Sequence, residues 1–417
     1  MDILIESLAH GGEGIGRGRG KAVFVPYTIP GERVRVEIVE EKERWARGRL
    51  VEVLAASPDR VEPPCPYFGP DRCGGCQWQH IRYERQAELK QAIVIDQLRR
   101  LGRLPDPPVA DTVVMADPAD DGRLLDYGYR NQTQFMLDAD GRLSFRRTDA
   151  HGLIAVERCL LLADRLDELH AALDLAAPAL TGVSLRAGLN TDDALILFEA
   201  AGDDAPELEL DLPAACALRT PAGLRPLIGE PFIMEEVGGR RYRIAADSPF
   251  PANTAAAAAL VEIVAAYADP QPADILLDAF CGVGLFALAL AGQVAEVIGV
   301  EASASACEDF ASNAGDLPRV SLHEGPVAEV LPALLAAGQR ADLVILEPPR
   351  TGAGQATLRD LAALAPRRMI YISHDPASLA RDVEHLHAAG YRIAEVQPVD
   401  LLPQTQQVTC VARIERA

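Results

Sequence analysis

From Met1 to about Ser57, apolar and polar residues alternate in short runs, at Ile3–Ile5, Ala22–Val25, Arg33–Val39 and Gly48–Val53. Successive side chains of a strand face opposite ways, so this spacing predicts strands that bury one face. The stretches His10–Gly16 and Pro30–Gly31, rich in glycine and proline, read as turns between them. Together they predict a small OB-like β-barrel over residues 1–57. The period then lengthens: Tyr83–Gly102 reads as an amphipathic helix, ended by the prolines of 105–108. Tyr127–Leu137 and Leu143–Arg147, joined by the turn Asp138–Gly141, predict a hairpin. These elements define a central α+β domain over residues 58–240, whose stretch 171–240 shows no readable pattern and is assigned no function. From about Pro270, the apolar runs Ile275–Asp278, Val297–Glu301, Leu343–Leu346 and Met369–Ser373 alternate with helical segments. That grammar predicts a doubly wound, largely parallel sheet, a Rossmann-like domain over residues 241–417. The chain as a whole is expected to be an α/β multidomain protein whose ligands bind at the carboxyl ends of the C-terminal strands.

Three cysteines crowd together at Cys65, Cys73 and Cys76, and the x-x spacing of Cys73-Gly-Gly-Cys76 lets one tight turn aim two sulfurs at one centre. Thiols so grouped in a chain without a secretory leader point to a metal or an iron–sulfur cluster more than to disulfides. A fourth ligand has to come from elsewhere. Cys159 is the best candidate, because Cys216, Cys281, Cys307 and Cys410 each sit singly in apolar or motif-bound surroundings. Spacing alone leaves a structural zinc site and an iron–sulfur cluster both open.

At 417 residues the chain has room for two or three domains, and a net charge of −21 argues against a protein coated in nucleic acid. The charge is unevenly distributed, however. Arg17, Arg19, Lys21, Arg33, Arg35, Lys42, Arg44, Arg47 and Arg49 roughly balance the acids of the barrel. Such a barrel suits RNA on one face; a purely structural barrel with a solvated charged surface is the alternative. No leader and no membrane-length apolar run is present, so a cytoplasmic protein without a membrane or DNA partner is expected, and a monomer.

Asp278-Ala-Phe280-Cys-Gly282-Val-Gly284-Leu285 follows the first strand of the C-terminal domain and opens a helix, loosely satisfying G-x-G-x-x-A. About twenty residues on, Glu301 ends the second strand, where a carboxylate can accept both hydroxyls of an adenosine ribose. A nicotinamide cofactor and S-adenosylmethionine both fit so far. Glu347-Pro-Pro-Arg350, ending a later strand, resembles the acid-or-Asn, Pro-Pro pattern of methyltransferases and favours S-adenosylmethionine.

The chain resembles the RNA uracil-C5 methyltransferases that carry a TRAM domain and often an iron–sulfur cluster. The resemblance rests on Gly14-Ile-Gly, Phe24-Val-Pro and Pro30-Gly-Glu32; the four cysteines named above; Tyr129-Arg-Asn131 and Phe145-Arg146; Asp278-x-Phe-Cys-Gly-x-Gly284; Pro348-Pro-Arg350; and Tyr371-Ile-Ser…Asp382. It implies a TRAM barrel, a [4Fe–4S] cluster on Cys65, Cys73, Cys76 and Cys159, and methylation of uridine C5 in structured RNA, rRNA or tRNA. It also implies S-adenosylmethionine held by Asp278, Phe280, Gly282, Gly284, Leu285, Glu301 and Glu347. Arginines near Arg130, Arg146 and Arg147 are expected to meet the RNA.

In that family a cysteine thiolate adds to uracil C6 so that C5 can attack the methyl group, and a carboxylate then removes the C5 proton. Here His374 stands at the nucleophile position and Thr409 at the base position, with Glu347 and Arg350 beside them. Pro251 replaces a glutamine, Leu285 an asparagine, and Gly325 a polar adenine contact. Two rescues come from the sequence: addition by His374, or by Cys410. A methyl acceptor that needs no cysteine nucleophile, with His374 or Glu347 as general base, is the alternative reaction. A catalytically degenerate RNA-binding protein and an RNA-free cluster protein are the alternative classes.

Overall fold

The computed structural model describes residues 1–117, 122–149, 151–175, 179–202, 213–315 and 317–417. The N-terminal strands β1 (Asp2–Leu8), β2 (Gly14–Gly18), β3 (Lys21–Val25), β4 (Arg33–Glu41) and β5 (Trp45–Ala55) close into a barrel in the order β1-β2-β3-β5-β4. Ile3, Ile5, Val23, Val25, Val34 and Val36 fill it, the inward half of the alternation read from the sequence. Strand β2 corrects that reading, which gave Gly14–Gly16 to a turn. A side chain at 14 would meet Thr28, and one at 16 would lie 2.5 Å from the Leu4 carbonyl oxygen. These glycines therefore serve close strand approach, and a glycine-rich strand looks like a loop in one dimension.

Helix α1 (Tyr83–Arg100) ends slightly before the expected Gly102, its Leu101 N–H closing on Gln97. It is followed by β6 (Gln132–Leu137), β7 (Leu143–Arg146), β8 (Leu153–Ala155), α2 (Asp164–Ala172), β9 (Leu180–Ala187), β10 (Ala194–Ala200), β11 (Ala215–Thr220) and β12 (Gly223–Ile228). The strands form one sheet in the order β12-β11-β10-β9-β6-β7-β8. Four of them lie in the stretch the sequence left unread; its residues 176–178 and 203–212 lie outside the described residues. Strands β13 (Phe232–Val237) and β14 (Arg240–Ala245) then make a hairpin that spans the expected division at residue 240.

The C-terminal sheet uses β15 (Ile275–Ala279), β16 (Glu296–Glu301), β17 (Val320–Glu324), β18 (Leu343–Leu346), β19 (Arg368–Ser373), β20 (Tyr391–Val399) and β21 (Thr409–Arg416), ordered β17-β16-β15-β18-β19-β21-β20. The first five strands are mutually parallel, and β21 inserts antiparallel between β19 and β20. Helices α3 (Thr254–Ala268), α4 (Ala287–Leu290), α5 (Ala304–Ala314), α6 (Val327–Ala336), α7 (Gln355–Ala363) and α8 (Pro376–Ala388) complete the domain. Leu276, Val297, Leu343 and Ile345 pack with α3 through Leu260 and Val264. Leu277, Ile298 and Val344 pack on the other side with Leu379 and Val383 of α8, and with Val94 and Leu98 of α1. Helix α1, expected in the central domain, therefore completes the C-terminal core. Among the described residues, no helix is long and apolar enough to cross a membrane.

Candidate active site

Parallel strands deliver their carboxyl ends to one edge of the sheet, and the loop after β15 turns there. Phe280 adopts φ 67°, Gly282 54° and Gly284 89°, a left-handed run that costs glycine little and strains phenylalanine. A side chain at 284 would lie 2.5 Å from Leu288 Cδ1, whereas one at 282 would project into open space. Gly284 serves packing, and Gly282 leaves room for a ligand. Glu301 Oε2 accepts from the Gly282 N–H at 2.9 Å, and its Oε1 accepts from Ala302 and Ser303 at 2.7 Å each. This carboxylate fixes the glycine loop against the start of α5. Leu285 presents no side chain to that space: it is buried in the core, and its carbonyl accepts the Tyr242 hydroxyl.

Asp278 is buried. Its Oδ2 accepts from the Ala287 N–H at 3.2 Å, while Oδ1 has no partner. Burial, followed by the nearby Glu347 and Glu301 charges, raises its pKa well above the usual carboxylate range. Three acids thus converge on the crevice, where Glu301 and Glu347 suit a cationic ligand.

His374 follows the end of β19, and Asp375 caps α8 by accepting from Ser378 N–H at 2.8 Å, with Pro376 at the helix start. The register of β19 with β21 pairs Ser373 with Cys410, which brings Thr409 beside His374. His374 Nε2 lies 2.8 Å from Glu347 Oε1, and Nδ1 lies 3.0 Å from Thr409 Oγ1. A carboxylate only accepts, so Nε2 carries the hydrogen and the Thr409 hydroxyl donates to Nδ1. Arg350 is exposed and bonds Gln407. Cys410 is fully buried in the apolar core, and burial raises its thiol pKa.

The segment before Thr409 is anchored from outside its domain. Lys90 bonds Asp400 at 2.6 Å, Tyr129 donates to Pro403 O at 2.9 Å, and Gln86 donates to Gln404 Oε1 at 2.9 Å. From the barrel, His10 Nε2 reaches Asp375 Oδ2 at 3.2 Å, and Gly12 O accepts from Trp78 Nε1 at 3.2 Å. Burial opposes ionisation of Asp375, but the His10 and Ser378 hydrogen bonds outweigh it and its pKa falls. The sequence reading missed this contact between barrel and crevice. Asp375 before Pro376, a helix-start pattern, is the signal that could have found it.

A groove of about 1120 Å³ runs between barrel and central sheet, lined by Arg47, Arg49, Arg146 and Arg147 with Tyr27, Phe145 and Gln406. Arg130 departs from the expectation that grouped it with these arginines. Its backbone bridges to Leu162 and Asn253, its Nε is buried and unpartnered, and it lines two other cavities.

One of those, about 60 Å³, is lined by Cys65, Cys73, Cys76 and Cys159 together. All four are free thiols. Burial raises the pKa of Cys73, Cys76 (to about 12) and Cys159. Among the described residues, no group of three or more His, Cys, Asp or Glu side chains is arranged to hold a single metal ion.

Residues 1–51 match the TRAM domain family. Over its full length the chain is 37% identical to an uncharacterized RNA methyltransferase of Streptomyces coelicolor, covering 93% of that protein. It is 33% identical to another from Thermosynechococcus vestitus, with 99% of this chain and 97% of the relative aligned. The chain belongs to this RNA methyltransferase family. Its fold also matches the crystal structure of Pyrococcus abyssi tRNA (uracil-54, C5)-methyltransferase in complex with S-adenosyl-L-homocysteine. There the TM-score is 0.76 at 24% identity, over 99% of this chain and 100% of that one. At the crevice of this family member stands the His374–Glu347–Thr409 cluster.

Proposed function

We propose that the protein methylates a base of structured RNA, rRNA or tRNA, with S-adenosylmethionine as methyl donor, in the cytoplasm and as a monomer. The observation that carries this reading is the open space over Gly282 beside Glu301, Asp278 and Glu347, at the strand ends of an RNA methyltransferase family member. When bound, S-adenosylmethionine supplies an electrophilic methyl group on a sulfonium. Glu301 keeps one acceptor site for a ribose hydroxyl, Gly282 admits the ligand to the backbone, and Glu347 complements its positive charge. The groove arginines Arg146 and Arg147 hold RNA phosphates.

Resemblance to the uracil-C5 enzymes makes uridine the expected base. Addition to C6 would need a thiolate at 374 and a carboxylate at 409, and neither is there. Losing a covalent nucleophile costs other enzymes about a millionfold, so a cysteine-dependent route is not available to this chain.

The donor set fits an iron–sulfur cluster: four free thiols line one cavity, with the Arg130 guanidinium on its wall to offset thiolate charge. Cys65, Cys73, Cys76 and Cys159 would hold a [4Fe–4S] group there. The thiols are not arranged for a single ion such as zinc, and metal analysis of anaerobically purified protein tests the cluster.

The test of function is incubation with labelled S-adenosylmethionine and total RNA from a strain lacking the protein, followed by digestion to nucleosides. Label in a methylated nucleoside is expected. RNA binding without label would leave a non-catalytic RNA-binding protein.

A further inference from the structure

We propose that His374 is the general base of this enzyme and that its methyl acceptor is a protonated ring nitrogen of a nucleobase, the imide N3 when the base is uridine. The inference rests on the methyltransferase reading above and narrows it to an acceptor atom. Its basis is the ordered cluster Glu347–His374–Thr409, at 2.8 and 3.0 Å, in a part-exposed crevice.

In the resting cluster Nε2–H is committed to Glu347, and the Nδ1 lone pair receives the Thr409 hydroxyl. A neutral imidazole is a poorer donor to uracil C6 than a thiolate, whereas proton abstraction needs only Nδ1, once Thr409 has released it. A carboxylate at one nitrogen holds the tautomer and stabilises the imidazolium that forms when the other takes a proton, the logic of a serine-protease triad. Uracil C5 would additionally demand covalent activation and a second base at 409, where only a buried hydroxyl stands. Cys410 cannot take over, being wholly buried on the opposite side of β21.

A ring N–H requires neither of these extra groups. As it approaches, the Thr409 side chain rotates about its Cα–Cβ bond so that the hydroxyl leaves Nδ1, and Nδ1 takes the proton from the acceptor nitrogen. The electron pair of that N–H bond forms the new N–CH₃ bond, while the methyl–sulfur bond breaks with its pair retained on sulfur. His374 leaves the step as an imidazolium paired with Glu347 and returns its proton to solvent. No covalent enzyme–RNA adduct and no further reactant is involved.

The test has two arms. In the first, nucleosides from the labelled RNA should contain an N-methylated base such as 3-methyluridine, and His374→Gln should lower the rate about 100- to 10,000-fold, the range for a lost general base. Label in 5-methyluridine would overturn the acceptor assignment while leaving the RNA methyltransferase reading intact. Absence of label from RNA would sink both. In the second arm, independent of turnover, nitrogen NMR of histidine-labelled protein, assigned with His374→Gln, should show His374 as the Nε2–H tautomer. Glu347→Gln should disturb that tautomer and Thr409→Val should shift Nδ1. An Nδ1–H tautomer, or signals indifferent to both substitutions, would overturn the proposal even if methylation occurs.

Discussion

The Lys90 ammonium lies 2.6 Å from the Asp400 carboxylate, with both side chains wholly excluded from solvent. Helix α1 is thereby tied to the segment that carries Thr409 to His374. Removing one partner of a buried pair strands the other charge, at a cost of about 3–5 kcal/mol. Lys90→Met should destabilise the protein by that order in urea unfolding. Lys90→Met with Asp400→Leu should recover much of the loss; a double variant no more stable than the single one would show that lost packing, not a stranded charge, is responsible.

Asp278 sets a pH dependence whose sign follows from its raised pKa. Between about pH 4, where an unfolded aspartate ionises, and its higher folded value, the folded chain holds the extra proton. Stability therefore falls as pH rises through that window and levels off above it. Asp278→Asn should flatten the decline in unfolding measured across pH. An identical slope in both proteins would place the Asp278 titration elsewhere.

Arg146 and Arg147 line the groove between barrel and central sheet. If they hold phosphates, the double substitution to alanine should weaken RNA binding about evenly across sequences. The slope of log affinity against log salt should drop by about 1 for each contact. Unchanged slope with unchanged affinity would remove them from the RNA path.

The cysteine cavity predicts a shared fate for residues far apart in sequence. Cys159→Ala should lose bound iron and visible absorbance as completely as Cys73→Ala, because both thiols line one cavity. Retention of full iron by Cys159→Ala would break the four-ligand proposal.

Much of this architecture was legible one residue at a time. Alternation announced β1 and β3 to β5 of the barrel, apolar runs announced β15, β16, β18 and β19, and the substitutions at 374 and 409 needed no structure to notice. These signals are local, since strand faces, glycine torsions and side-chain chemistry repeat at short period. What the sequence could not carry were contacts between distant segments. Gly14–Gly16 reads as a turn until Leu4 and Thr28 are seen pressed against it. Arg130 reads as an RNA-facing arginine until its backbone is seen bridging Leu162 and Asn253 and its Nε is found buried. The insertion of β21 between β19 and β20 turned two isolated replacements into one unit, setting Thr409 and Glu347 on opposite nitrogens of His374. Residue identity determined which chemistry was missing; the tertiary fold alone decided which new arrangement stands there, because a hydrogen-bonded cluster depends on strand order and register across the whole domain.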